Sequence, residues 1–152
     1  MYTRQEASRI KQAFWTTYGQ YMRPIPSASG EKVNWVNYKT GVKHLFFRMH
    51  ADMKKAYISI ELNNQNLSLQ QSHWDQLLQL KPLLESELQE QWEWHPMIHD
   101  EYGKIISQVR KEFKPVSIFN KDDWPGLISF FKPRMIALDT FWSVARYSFE
   151  AW

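Results

Sequence analysis

Lys55-Ala-Tyr-Ile-Ser-Ile-Glu-Leu-Asn-Asn64 alternates with a period of two. Ala56, Ile58, Ile60 and Leu62 fall on one side of an extended strand, and Tyr57, Ser59 and Glu61 on the other. Asp52-Met-Lys-Lys55 forms the turn before it. Upstream, Val33-Asn-Trp-Val-Asn-Tyr38 and Val42-Lys-His-Leu-Phe-Phe-Arg-Met-His50 are rich in β-branched and aromatic residues. They flank Lys39-Thr-Gly41, whose glycine supplies the positive φ of a tight hairpin. Three consecutive antiparallel strands are therefore expected. One sheet face is apolar, and the other carries His44, Phe46, Arg48 and His50 beside Tyr57, Ser59 and Glu61.

Helices flank this block. Thr3-Arg-Gln-Glu6 has the form of a capping box, followed by Ala7, Ile10, Phe14, Thr17, Tyr18 and Tyr21 at helical spacing, up to Pro24. Ser68 reads as the N-cap of a second helix with Trp74, Leu77, Leu80, Leu84 and Leu88 in its buried stripe, kinked or broken near Lys81 by Pro82. Trp92–His95 and Ile105–Val109 read as two further strands around the turn Asp100-Glu-Tyr-Gly103. Asn120-Lys-Asp-Asp-Trp-Pro125 opens a C-terminal helix. Its apolar face runs from Leu127 to Phe149, Arg134, Asp139, Thr140 and Arg146 fall largely outside it, and Pro133 should split or bend it. The expectation is one α+β domain over residues 1–152. A mostly antiparallel sheet of about five strands packs with N-terminal, middle and C-terminal helices, in the order helix, three strands, helix, strand.

With 152 residues the chain is long enough to bury roughly two-thirds of its unfolded surface. Eight Trp, nine Phe and seven Tyr exceed what such an interior holds, so some rings must line surface grooves. The absence of cysteine excludes disulfides, thiolate zinc sites and a cysteine nucleophile, and suits a reducing cytoplasm. There is no signal-like h-region and no apolar run of the ~18 residues a membrane span needs. A formal charge of +3, with Lys and Arg scattered among Asp and Glu, leans only slightly toward an acidic partner.

The helix and three-strand order resembles that of the PD-(D/E)xK nucleases, whose third strand carries an acid, a spacer and a lysine that bind Mg²⁺ and activate water. Here the triplet is Glu61-Leu62-Asn63, with Asp52 as a second acid and Lys54 or Lys55 as the nearest replacements for the lysine. A turn aspartate and a solvent-facing strand glutamate are the simpler reading. His95-Pro-Met-Ile-His-Asp-Glu101 has ligand types at near-metal spacing, but Pro96 removes the helix such spacing needs, leaving a polar loop with two ordinary histidines and no metal site. His44 or His50 could pair with Glu61 as acid and base, but no nucleophile or oxyanion loop accompanies them. His44, Phe46, Arg48 and Tyr57, with Lys43 nearby, have the composition of a platform that stacks single-stranded nucleic acid. With two long amphipathic helices to place, a helix covering that face is the more economical expectation, and would make Phe46 and Tyr57 core.

Phe14-Trp-Thr-Thr-Tyr-Gly-Gln-Tyr-Met22, Lys32-Val-Asn-Trp-Val-Asn-Tyr-Lys-Thr-Gly-Val42, Phe46-Phe-Arg-Met49, Asp100-Glu-Tyr-Gly-Lys104, Asn120–Pro125 and Phe131-Lys-Pro-Arg134 resemble the bacterial family catalogued as domain of unknown function 4268. The resemblance covers almost the whole chain. Some members of that family stand alone, and others carry the domain behind a nuclease-like N-terminal domain, which implies an association with nucleic-acid processing. It carries no catalytic residue over. The reading that follows is a non-catalytic binding or accessory module, in nucleic-acid processing or DNA defence, with no cofactor. The alternative is a divergent Mg²⁺-dependent nuclease with Asp52 and Glu61 as its acids. Nucleic acid, a protein or a second copy of the chain are the partners to test.

Overall fold

The computed structural model describes residues 2–149, so the outermost residues of the expected 1–152 domain lie outside it. Its elements are α1 (Arg4–Met22), β1 (Leu45–Ala51), β2 (Ala56–Leu62), α2 (Leu67–Gln79), α3 (Lys81–Leu88), β3 (Glu93–His99), β4 (Ile105–Phe113) and α4 (Trp124–Ala145), with short 3₁₀ turns on either side of α4. The strands form one antiparallel sheet in the order β1-β2-β4-β3. Among the described residues no helix is long and apolar enough to cross a membrane.

The period-two stretch behaves as its pattern requires. Leu45 pairs with Leu62 and Ala51 with Ala56, and the β1–β2 turn is closed by Asp52, whose Oδ1 accepts from the backbone N–H of Lys54 (2.8 Å) and Lys55 (2.9 Å). The apolar row Ala56, Ile58, Ile60 and Leu62 is completely buried, at 0–1% exposure. Helices cover it: Trp142 and Phe130 of α4 meet Phe47 and Phe113 of the sheet, and Trp74 of α2 meets Trp94 of β3. Helix α1 packs behind α4 through Phe14 and Trp15 against Phe131. Its buried residues are Phe14, Tyr18 and Met22, four apart, whereas the expected Tyr21 points outward.

The expected hairpin around Gly41 does not form, and among the described residues the sheet has four strands rather than about five. Val33–Tyr38 is an irregular strap. Asn34 Oδ1 accepts from the N–H of Val36 and Asn37, both at 3.0 Å, a local Asx turn that competes with an extended ladder. The rings of the strap still enter the core. Trp35 is buried with its Nε1 donating to Ile25 O (2.9 Å), Tyr38 stacks on Phe47, and Trp142 Nε1 donates to Thr40 O (2.7 Å). Gly41 does take a positive φ of 81°, in the loop between this strap and β1.

A second correction concerns Asp139. Expected outside the apolar face of α4, it is buried, because it accepts from Tyr38 Oη (2.5 Å) and from Ala28 N (2.7 Å), tying the C-terminal end of the strap and the loop before it to α4. Burial, the Asp139 hydrogen bond and its charge push the Tyr38 phenol well above its ordinary range, although Arg146 opposes the rise. Pro133 neither splits nor ends α4. Pro133 and Ser129, four residues earlier, are exposed, so the carbonyl left without a donor faces water. Pro82, in contrast, starts a new helix: α2 ends at Gln79 and α3 begins at Lys81, with Leu80 shared as cap. The cap of α2 is Asn66, not Ser68. Arg134 then binds Glu90 through Nε and Nη2, each at 2.9 Å, joining α4 to the chain that follows α3.

Removing the Asp139 carboxylate leaves two part-buried donors without their acceptor. Asp139→Ala should lower unfolding stability by about 3 kcal/mol. Urea denaturation followed by tryptophan fluorescence checks this, and a change under 1 kcal/mol would contradict the clamp.

Candidate functional site

Because the described helices lie on one side of the sheet, its second face is left open. The register sets three rows across β1, β2 and β4: Phe46, Glu61 and Gln108; Arg48, Ser59 and Arg110; His50, Tyr57 and Glu112. Above them lies a groove of about 810 Å³ lined by strands and loops, without a helical residue. The expected helix cover is absent because α2 and α4 both compete for the apolar face.

The floor is a network of paired groups. Arg48 Nε donates to Glu61 Oε2 (3.0 Å), and Gln108 Nε2 donates to Glu61 Oε1 (3.1 Å). Arg110 donates to Gln108 Oε1 (3.2 Å) and to Glu112. The Tyr57 ring is held between the His50 ring (4.9 Å) and the Arg110 guanidinium (4.6 Å), while Arg48 lies over Phe46 (4.3 Å). Burial, then the Glu61 charge, raises the Tyr57 phenol, with Arg110 and a Gln108 hydrogen bond opposing. The Arg110 hydrogen bond outweighs burial at Glu112 and holds that carboxyl below its usual value, helped by the charges of Arg110, Lys55 and Lys114. Lys55 and Lys114 reach Glu112 at 3.5 and 3.8 Å, so Arg48, Arg110, Lys55 and Lys114 share the two carboxylates of Glu61 and Glu112. At the margins, Asp52 is paired with His50 and Glu93 with His95.

The sequence candidates separate. Arg48, Phe46 and Tyr57 sit together on the open face, and His44, held by Asn63 Oδ1 at 3.2 Å, lies at the groove's end. Lys43 faces a different cleft, with Leu69, His73 and Phe149. Asp52 and Glu61 are not brought together. Asp52 caps the turn before Ala56, and Glu61 lies five strand positions further on, roughly 16 Å at the rise of a β-strand. Among the described residues no group of three His, Cys, Asp or Glu is arranged to hold a metal ion. Neither His44 nor His50 contacts Glu61, whose oxygens are held by Arg48 and Gln108. His95 and His99 lie on β3 rather than on a loop. The residues missed were Gln108, Arg110 and Glu112. Their alternation in β4 was legible, but the strand was expected to stop at Val109, and its pairing with β2 crosses the intervening helices.

An α+β fold with one antiparallel sheet, helices over one face and the other face open, is the class that the structure defines. The family model described as Domain of unknown function (DUF4268) matches residues 10–146, and the chain belongs to that family. No curated protein and no solved structure matches the chain.

At Asp52, burial would raise the carboxyl, but hydrogen bonds from His50 and from the Lys54 and Lys55 backbone, with the His50 charge, outweigh it and hold the value at about 2, against 3.8 ordinarily. A depressed folded-state value stabilises the fold above the unfolded value, and that contribution is lost as pH falls through the folded one. The stability gap between wild type and Asp52→Asn should therefore be full at neutral pH and close between about pH 4 and about pH 2. Chemical denaturation at stepped pH measures it, and a gap that does not shrink there refutes the role of the charge.

Proposed function

We propose that the chain, as one domain, is a non-catalytic binding or accessory module that receives single-stranded nucleic acid on the open face of its sheet, in cytoplasmic nucleic-acid processing or DNA defence. The observation that carries this reading is the uncovered face itself, on which four cations share two carboxylates beside guanidinium-stacked rings. Single-strand binders combine a cationic track for the backbone with π surfaces for bases. Membership of the family supports the reading through the nuclease-like domain that some members carry. The separation of Asp52 from Glu61 weighs against the Mg²⁺ nuclease, since one metal needs both acids within a few ångströms.

Labelled single-stranded DNA, single-stranded RNA and duplex DNA should rank with the single strands above the duplex. If all four cations meet phosphates, log K should fall with log salt at a slope of about −3, and Lys114→Ala, at an exposed position, should flatten the slope by about 0.7. No binding at low salt would sink the proposal. Strand cleavage in Mg²⁺ that disappears in Glu61→Ala would replace it with the nuclease.

A further inference from the structure

The β3–β4 hairpin forms a wall of the groove through Ile98, Tyr102 and Ile106. Its register shifts between His95 and Ile98, and Met97 adopts a positive φ of 49°, a left-handed conformation unfavourable for a side chain without special support. Support comes from beneath. Met97 N donates to Ser107 Oγ (3.0 Å), Ser107 Oγ donates to Gln70 Oε1 (2.7 Å), and Gln70 Nε2 donates to Ile105 O (3.0 Å) and Asn64 O (2.9 Å). Ser107 and Gln70 are both fully buried, at 0% exposure. The tip is braced as well: Asp100 Oδ1 accepts from the N–H of Tyr102 and Lys104, each at 2.9 Å, and Gly103 takes φ 80°. Yet Tyr102, carried on this braced tip and lining the groove, is 80% exposed. A large ring presented on an ordered backbone loses little freedom when it stacks on something.

Charge sets the orientation of what enters. On the groove's floor Arg48 and Arg110 face the single carboxylate of Glu61, while the tip brings Asp100 and Glu101 against Lys104. A strand lying there places its phosphates toward the floor and away from the acidic tip, which turns its bases toward Tyr102.

We propose that Tyr102 is the base-stacking cap of this groove, held in place by the Gln70–Ser107 support of the bulge. This rests on the single-strand reading above. The test uses fluorescence anisotropy with a labelled oligothymidylate of about 12 nucleotides and an abasic strand of the same length. Wild type should bind the base-bearing strand more tightly than the abasic one. Tyr102→Ala should weaken the base-bearing strand roughly 5- to 100-fold, leave the abasic strand and the melting temperature unchanged, and be rescued by Tyr102→Phe. If wild type binds and Tyr102→Ala binds equally well, or loses both strands equally, the cap is overturned while the binding face stands. If wild type binds neither strand, the face and the cap fall together.

Discussion

The fold depends on a one-sided sheet. Four strands with a single apolar row through Ile58, Ile60 and Leu62 offer the helices only one place to bury their own apolar stripes. Both α2 and α4 take it, and α1 stacks behind α4. Ile58, Ile60 and Leu62 buried to this degree each contribute roughly 1.5–3 kcal/mol of transfer free energy. No comparable gain is available on the other side, where the charged groups of Arg48, Glu61 and Arg110 would have to give up the water they still touch. The open face is thus a consequence of where the apolar area lies.

Two buried polar devices then shape what the hydrophobic packing leaves undetermined. Asp139 gathers the irregular strap onto α4 through Tyr38 and Ala28, so that a segment with strand-like composition closes the core without adding a strand. Gln70 and Ser107 reach from α2 into β4 and hold the bulge that bends the β3–β4 hairpin. In each case a group that would be costly to bury alone is fully engaged, and its partners lie far away in sequence. Such contacts specify one arrangement among several that would bury equal apolar area.

The open face combines order with solvent access. Its carboxylates and guanidiniums are already paired and Tyr57 is already stacked on both sides, so its side chains are fixed before any ligand arrives. Its charge surplus comes from lysines at the strand ends, Lys114 mostly exposed and Lys55 about one-third exposed, at 37%. On the sheet floor Glu61 is held by Arg48 and Gln108, and Glu112 by Arg110 and two lysines.

By itself the sequence determined whatever is local. The alternation of residues 56–62, the Thr3 cap, the break at Pro82, the Asp100–Gly103 turn and the start of the last helix near Asn120 all follow from period and capping chemistry acting over a few residues. It also placed Arg48, Phe46 and Tyr57 on one face, because side-chain direction in a strand is set by parity. Tertiary structure alone decided that Val33–Tyr38 is a strap, since an Asn34 turn and the Tyr38–Asp139 bond outweigh strand propensity. It decided that Arg110 and Gln108 join the site, since β4 reaches β2 only after two helices intervene. It decided too that the face stays open, because the side of the sheet a helix takes is a competition for apolar area between elements distant in the chain, and no local pattern records its outcome.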